Sequence, residues 1–505
     1  MLKRVRIILT VLLLLATVGV DAQVTTASMA GKVTDASNEP IIGATVQAVH
    51  QPSGSRYGTV TNVDGRYSIQ GMRTGGPYRV EISYIGYQTV IYKDITLQLG
   101  EVYNLNVEMS ESSELLNEVI VTAAKTKFTA EKTGATTNIS SAQMTQLPTV
   151  NRSISDIARL SPYANGMSFA GGDGRSTNFT IDGANFNNNF GLSSNLPGGG
   201  NPISMDAIEE VQVVVAPFDV RQTNFIGGGI NAITKSGTNT FRGTAYTYYR
   251  NQDMRGNRIN GEDLGARSDE SKTTYGFTLG GPIIKNKLFF FVNYEKEKTP
   301  GEVIKYRARE DGEDAKGMVS RTLKSDMEKV YNHLKDKYGY DAGSYTNFPA
   351  DEENTKLLAR IDWNITDRHR LSLRYNNTKN TAWNAPNGNS SDTGYRLNNT
   401  YRVGTQSMAF ANSMYSMDNK VQSWAADLNS RFTDKISNQL LFTYTNIEDM
   451  RGTNSSPFPF IDIMAGKDEN GNQILEPYMS AGYELFTYNL SLIHISEPTR
   501  HSLIS

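Results

Sequence analysis

Apolar and polar residues alternate with a period of two in two regions of this chain, in segments of two distinct lengths. Between Thr26 and Met109 the alternating segments are short: Met29–Thr34, Ala44–Val49, Tyr57–Thr61, Tyr67–Gln70, Tyr78–Tyr84, Gln88–Tyr92 and Tyr103–Met109. Turn formers such as Asn38-Glu39-Pro40, Pro52-Ser53-Gly54, Asp64-Gly65 and Gly75-Gly76-Pro77 join them. Short strands at this spacing predict a small antiparallel sandwich, and Asp64-Gly65 between two alternating runs predicts a hairpin. From Phe241 onward the segments lengthen: Phe241–Arg250, Thr273–Gly281, Lys287–Glu297, Lys356–Ile365, His369–Asn377, Val421–Phe432 and Ile436–Ile447. In the sixth, Val421, Ser423, Ala425, Asp427, Asn429 and Arg431 share one face, with Trp424, Ala426, Leu428 and Phe432 on the other. In the fifth, Leu371, Leu373 and Tyr375 oppose Arg370, Ser372 and Arg374.

The connections between the long segments alternate too. Pro282–Asn286, Thr366–Arg368 and Thr433–Lys435 are tight, whereas Asn251–Lys272, Lys298–Thr355 and Thr378–Lys420 are long and polar. Tight turns on one side and long loops on the other are the pattern of an outer-membrane barrel; a soluble β-protein is the competing reading. The clusters Tyr246-Tyr248-Tyr249 and Phe289-Phe290-Phe291 suit interfacial girdles. Seven strands do not close such a barrel: plugged transporters use about 22, and an open edge does not survive in lipid. At this spacing a complete chain runs to roughly 900 residues. Residues 491–505 neither alternate nor continue the pattern and resemble a translated sequencing adapter, so the native sequence is expected to stop near Leu490. Between the two β regions, Lys125–Gly237 mixes glycine-rich loops with short strands. It also holds one helical stretch, Ser153–Leu160, with apolar residues at Ile154, Ile157, Ala158 and Leu160 and Pro162 just beyond.

Composition narrows the function. Fifty basic residues against 52 acidic leave a net charge of −2, so no global field draws nucleic acid or anionic lipid. The absence of cysteine excludes a disulfide scaffold, a thiol nucleophile and an acylated N-terminal cysteine. His50, His333, His369, His494 and His501 are scattered, none at a metal-ligand spacing, so no catalytic residue, metal site or cofactor is expected. Lys3, Arg4 and Arg6, the apolar run Ile7–Val18 and Val20-Asp21-Ala22 form a signal peptide cleaved before Gln23. No other segment approaches eighteen apolar residues and the mean hydropathy is −0.44, so entry into a membrane has to be as a barrel.

Motifs add a family resemblance. Gly31–Asp35, Pro40–Val46, Thr61–Ile69 and Ile82–Gln88 (GKVTD, PIIGATV, TNVDGRYSI, ISYIGYQ) resemble the carboxypeptidase regulatory-like domain, a transthyretin-like sandwich with no catalytic set of its own. Gln146-Leu147-Pro148 with Asp156–Pro162, then Gly171–Gly183, Ala207–Val215 and Gly227–Lys235 resemble, in order, the plug of TonB-dependent outer-membrane receptors. Ala216-Pro217-Phe218-Asp219 departs from that family's usual glycine-proline turn. Ahead of the plug, Glu118, Val119, Ile120, Val121 and Thr122 form a β-branched run in a polar linker. On composition alone it reads as an ordinary strand; by position it resembles the TonB box.

The expected architecture is mainly β. It comprises a signal peptide (1–22), a transthyretin-like sandwich (26–109), a linker with the box (110–124), an α+β plug (125–237), an incomplete antiparallel transmembrane β-barrel (238–490) and a non-native tail (491–505). The order resembles the Oar-like or SusC-like branch. The resemblance implies a Gram-negative outer membrane, a periplasmic sandwich, and active transport in which TonB and its inner-membrane energising complex pull on the box to rearrange the plug. A surface lipoprotein partner belongs to some such systems. Candidate substrate contacts on plug loops are Asp173, Arg175, Asn178, Asn185, Asn187, Asn188 and Asn195; candidate plug–barrel anchors are Arg175 and Arg221. An outer-membrane adhesin or scaffold without a transport role is the alternative, and the transported ligand is not legible.

Overall fold

The computed structural model describes most of the chain between Val24 and Gly482. Residues 1–23, 112–118, 123–134, 188–195, 216–221, 264–270, 301–305, 387–401 and 483–505, with shorter gaps of one to five residues, lie outside the described residues.

The N-terminal segments fold as two packed sheets. Strands β1 (Ala27–Asp35), β4 (Arg66–Met72), β7 (Val102–Asn104) and β8 (Val107–Met109) make one sheet, centred on β1. Strands β2 (Thr45–His50), β3 (Ser55–Val60), β5 (Gly75–Ser83) and β6 (Val90–Leu97) make the other, in the order β3-β2-β5-β6. Alternate residues turn inward, and Met29, Val33, Val46, Ala48, Ile69, Tyr78, Val80 and Ile82 form the core between the sheets. The expected hairpin at Asp64-Gly65 is not one. The turn is tight, with Gly65 N–H donating to Asn62 O at 3.0 Å, but β3 and β4 belong to different sheets, so it is a corner. Gly65 has φ +71°, and a Cβ there would lie 2.6 Å from Val33 O. A corner needs the same left-handed residue as a hairpin, so the dipeptide alone does not distinguish them.

A five-stranded mixed sheet follows, in the order Ala135–Ser140, Ile208–Val215, Gly228–Thr234, Asn178–Ile181, Ala184–Asn185. The helical stretch is present as Ile154–Ala158, capped by Ser153, whose Oγ accepts from Asp156 N–H. Its apolar side, Ile154, Ile157 and Ala158, packs on the sheet with Phe179, Ile181, Val211 and Ile230.

Seven long strands then pair in chain order as one antiparallel meander: Arg242–Asn251, Ser271–Ile284, Leu288–Thr299, Glu352–Asn364, His369–Asn384, Tyr415–Arg431 and Ser437–Gly452. Each covers a segment expected from the alternation. The sheet wraps the plug, and Phe291, Leu358 and Val421 from its inner face join the plug core. Its inner face is otherwise polar, with Asn293, Glu295, Lys356, Asp362, Arg374, Asn376, Thr378 and Ser423 buried. Tyr249, Phe277, Leu279, Ile361, Trp363, Leu373, Trp424, Leu440, Phe442 and Tyr444 are exposed on the outside. The aromatic clusters split between faces because neighbouring side chains on a strand diverge. Phe289 and Phe291 are buried, Tyr246 binds Glu295 in the interior, and Tyr249 is exposed.

The sandwich sits at the tight-turn end of the wall: Asn239 N–H, just before the first wall strand, donates to Pro52 O at 2.7 Å, and Asn364 Nδ2, at the end of the fourth, donates to Ser55 Oγ at 3.0 Å. At the opposite end the long connections fold on each other, contrary to their reading as plain polar loops. A helix, Lys324–Tyr338, ends at Gly339 in the left-handed region. Its Met327 and Leu334 pack with Tyr340, Met408, Phe410 and Met479 in a separate core. No described helix is long and apolar enough to cross a membrane, which says nothing about crossing by strands.

Candidate functional site

The three bodies meet at a chain of charged groups. Asp182, in the turn after plug strand Asn178–Ile181, accepts from Thr234 N–H at 2.9 Å and Thr234 Oγ1 at 2.6 Å. Its carboxylate lies 3.5 Å from Arg360 Nη1 and 3.6 Å from Arg374 Nε, both on the barrel wall. Arg360 grips Asp362 with two bonds, Nε to Oδ2 at 3.0 Å and Nη2 to Oδ1 at 2.9 Å. Ser372 Oγ also donates to Asp362, at 2.7 Å. Arg73 of the sandwich reaches the same carboxylate at 3.3 Å and donates to Ser236 Oγ at 3.1 Å. Sandwich, wall and plug are thus linked through alternating charges. They surround a cavity of about 440 Å³ whose lining includes His50, Arg73, Asp182, Glu209, Arg370 and Asp427.

Alternation explains why the wall residues converge. Lys356, Arg360 and Asp362 differ by even numbers along one strand, so they share the inner face, and Ser372 and Arg374 do so on the next. A charge pointing into a lumen is stable only when hydrated or paired. Higher on the wall Glu295 gathers Lys356 Nζ at 2.8 Å, Ser204 Oγ of the plug at 2.8 Å and Tyr246 OH at 2.9 Å. Asn354 Nδ2 donates to Gly198 O at 3.0 Å, and Thr378 Oγ1 to Pro202 O at 2.7 Å. Arg152 of the plug pairs with Asp206 and lies 4.0 Å over the Tyr248 ring.

The sandwich–plug seam is narrower. Leu99 N–H donates to Glu210 Oε1 at 3.1 Å, while Asn138 Nδ2 donates to Glu210 at 2.8 Å and to Leu99 O at 3.1 Å. Burial pushes the Glu210 carboxyl up to about 7, against the opposing effect of these bonds, with Glu101 and Glu209 adding repulsion. On the sandwich, burial and the Arg73 charge push His50 down to about 3, and its Nδ1 lies 2.6 Å from Ser53 Oγ.

The residues expected to touch substrate fall into three groups. Asn178, Asn185 and Asn187 are spent on the plug's own turn. Asn178 is buried and accepts from Asn187 Nδ2 at 2.9 Å, Asn185 Oδ1 accepts from Asn187 N–H at 2.7 Å, and Asn187 Oδ1 accepts from Phe179 N–H at 2.7 Å. Asp173 and Arg175 are exposed and bond each other, Nη2 to Oδ2 at 2.6 Å, which holds the Asp173 carboxyl below its usual range. Asn188 and Asn195 lie outside the described residues. Of the two expected anchors, Arg221 also lies outside them, and Arg175 is held by Asp173 of its own three-residue turn. Among the described residues, the ion pairs between plug and wall run from Asp182: an acid on the plug and arginines on the barrel. The clue in the sequence was the row of charges on the inward register of the fourth and fifth barrel strands. In the box, Glu118 is outside the described residues, and Val119–Thr122 forms a further strand, β9, beside β6.

Comparison with known proteins agrees with this architecture. Residues 28–110 match the carboxypeptidase regulatory-like domain, and residues 233–303 match an outer membrane beta barrel domain. The chain is 25% identical over 376 residues to the TonB-dependent transporter Oar of Myxococcus xanthus, a match covering 69% of this chain and 33% of that protein. It thus spans about a third of the length of that curated relative. Among solved structures it is similar to the outer membrane transporter YddB from Escherichia coli (15% identity, TM-score 0.43, 63% of this chain and 40% of that one). It is also similar to the siderophore receptor PirA from Acinetobacter baumannii (17% identity, TM-score 0.40, 69% and 43%). These relatives are transporters and receptors rather than enzymes.

Proposed function

We propose that this chain is part of a TonB-dependent receptor of the outer membrane and serves active transport, a reading supported by its similarities: substrate settles on the extracellular side of the plug, and TonB pulls on Glu118–Thr122 to shift the plug along the wall. The observation that supports this most is the polar seating of the plug. Its attachments at Asp182, Ser204, Gly198 and Pro202 are hydrogen bonds and ion pairs to lumen-facing side chains. Such bonds exchange with water at a net cost of about 0.5–1.5 kcal/mol each, or about 1.5–3 kcal/mol where a charged group takes part, so a pulled plug can trade them one by one for water. Asp173 and Arg175, exposed on the plug, are the substrate contacts this reading retains, and the sandwich lies on the periplasmic side with the tight turns.

The test is capture of the full-length receptor by the C-terminal domain of TonB. Ile120→Pro removes a backbone donor from the strand that TonB would pair with. It should cut capture at least tenfold while the receptor still inserts in the outer membrane. Capture that survives Ile120→Pro overturns the role given to this segment. The folded cap over the long connections favours one other reading, an adhesin or surface scaffold, and that reading requires no capture by TonB even in the unaltered receptor.

A further inference from the structure

The sandwich sheet that ends in β6 does not end there. Val119–Thr122 pairs with it in parallel, Val90 opposite Val119, Ile91 opposite Ile120, Tyr92 opposite Val121 and Lys93 opposite Thr122. The segment read above as the TonB box is therefore the fifth strand of the sheet, in the order β3-β2-β5-β6-β9. We propose that the β6 edge of the sandwich is a binding site for the chain's own TonB box, so that TonB must take the box from the sandwich before it can pull on the plug. This rests on the reading of Glu118–Thr122 as the box.

Three features of the fold support the berth. The first is length. The pairing along this edge of β6 ends at Lys93, because Asp94 adopts φ +62°, a left-handed residue that puts a bulge in the strand. Four residues of edge, Val90–Lys93, meet the last four of the five residues of the box. The second is delivery. Beyond β8 the chain is pinned beside the start of β6: Gln88 N–H donates to Ser110 O at 2.9 Å, and Tyr87 bridges Glu111. Residues 112–118 then need to bring Val119 only to Val90, roughly 10 Å along a strand. Seven residues reach roughly 23–25 Å when extended, more than that separation. A tether this short holds the box at an effective concentration of about millimolar at its berth. The third is need. Without the box, β6 would present a bare row of backbone donors and acceptors, the kind of edge that natural sheets cover.

The consequence is competition for backbone. A strand recognised by edge addition gives its affinity through main-chain hydrogen bonds, and four residues offer few of them. While the box lies on β6 half of its backbone is spoken for. TonB, arriving from solution, has to exceed an intramolecular partner. The sandwich in turn is latched to the wall through Arg73 and Asp362 and to the plug through Glu210, so a shift of sandwich against barrel would bear on how freely the box leaves.

The chain has no cysteine, which makes the register directly testable by disulfide trapping. Lys93 is exposed and pairs with Thr122, and paired strand positions fall within the Cα separation of about 4.4–6.8 Å that a disulfide accepts. Full-length receptor carrying Lys93→Cys and Thr122→Cys should close the bond under mild oxidation, and a pair with the same box cysteine but Thr96→Cys should not. Capture by the TonB C-terminal domain should fall at least tenfold in the oxidised protein and return on reduction. If the disulfide closes but oxidised and reduced protein are captured equally, the sandwich does not withhold the box and the proposal is wrong. If neither pair closes while the reduced receptor is captured normally, the berth is wrong and the box assignment stands. If Thr122 as a single cysteine variant and the unaltered receptor both fail to be captured, the box assignment itself fails, and the berth with it.

Discussion

The sandwich and the barrel wall are written in the same period-two alternation and fold with opposite faces inward. In the sandwich the apolar face is the inside, and Ile82 is fully buried. On the wall the apolar face is the outside: Trp424 is 53% and Phe442 65% exposed, whereas Lys356 is 2% exposed. Alternation fixes that a strand has two faces, and the solvent on each side decides which one packs. A sandwich strand has water outside and its partner sheet inside. A wall strand has hydrocarbon outside, where bare apolar side chains are at home, and a hydrated plug inside, which needs hydrogen bonds.

The largest effect that separates the two regions lies at Lys356. If the wall interior were like the sandwich core, replacing this buried lysine by methionine would be neutral or stabilising. Here Lys356→Met leaves Glu295 buried without its cation, at a cost of about 3–5 kcal/mol. Thermal unfolding of the receptor in detergent should show the loss, and Lys356→Met with Glu295→Gln should recover most of it. A single variant as stable as the parent would mean that the wall interior is not polar in the energetic sense. Next in size is the outer face. Phe442→Arg should cost about 2–4 kcal/mol if that position sits near the bilayer midplane, read as loss of folded, heat-modifiable receptor from the membrane fraction. An exposed position on a soluble protein would accept the change within about 0.5 kcal/mol, so an unaffected variant would remove Phe442 from the lipid-facing surface.

The legibility of the sequence follows the same division. All seven wall strands and the shared face of Arg370, Ser372 and Arg374 were readable, because alternation over nine or more residues has few competing explanations. The corner at Gly65 was misread because the local φ demand is the same for a turn within a sheet and between sheets. The asparagines of 178–187 read as ligand contacts since polar loops on a plug face solvent by default. Their use in a turn of their own depends on Asn187 meeting Asn178 nine residues away, which no local pattern encodes. Asp182 was passed over inside the Gly171–Gly183 segment, because its partners, Arg360 and Arg374, lie far along the chain. The helix Lys324–Tyr338 was hidden in a connection judged by its overall polarity. Only Met327 and Leu334 of that helix are buried, too few for a strong apolar stripe.

A smaller effect is expected where the sandwich meets the plug, at Glu210. Its carboxyl is raised to about 7 in the folded protein by burial, against about 4.3 for an unperturbed glutamate. The folded state therefore holds the extra proton between those values. The contribution to stability is fully present below about pH 4.3 and is lost as pH rises through about 7. Asn138 and Leu99 stay within reach of the carboxyl in either state, so the effect is smaller than loss of the Lys356 pair. Glu210→Gln should flatten the dependence of the melting midpoint on pH across that window and raise the midpoint at pH 8. A variant that keeps the parent's slope would place the titration elsewhere.

The smallest effect compares the two regions with one chemical change. Ile82→Val removes a methylene from the sandwich core and should cost about 0.5–1.5 kcal/mol, because the surrounding side chains close only partly over the gap. Leu440→Val removes one from the outer face of the last described wall strand, where mobile acyl chains fill the space at once, so the expected change is below about 0.5 kcal/mol. The two midpoints should therefore separate although the lost volume is the same. Equal losses would mean that Leu440 packs against protein. The exposed row Leu440, Phe442 and Tyr444 would then be a contact face for another protein surface rather than for lipid.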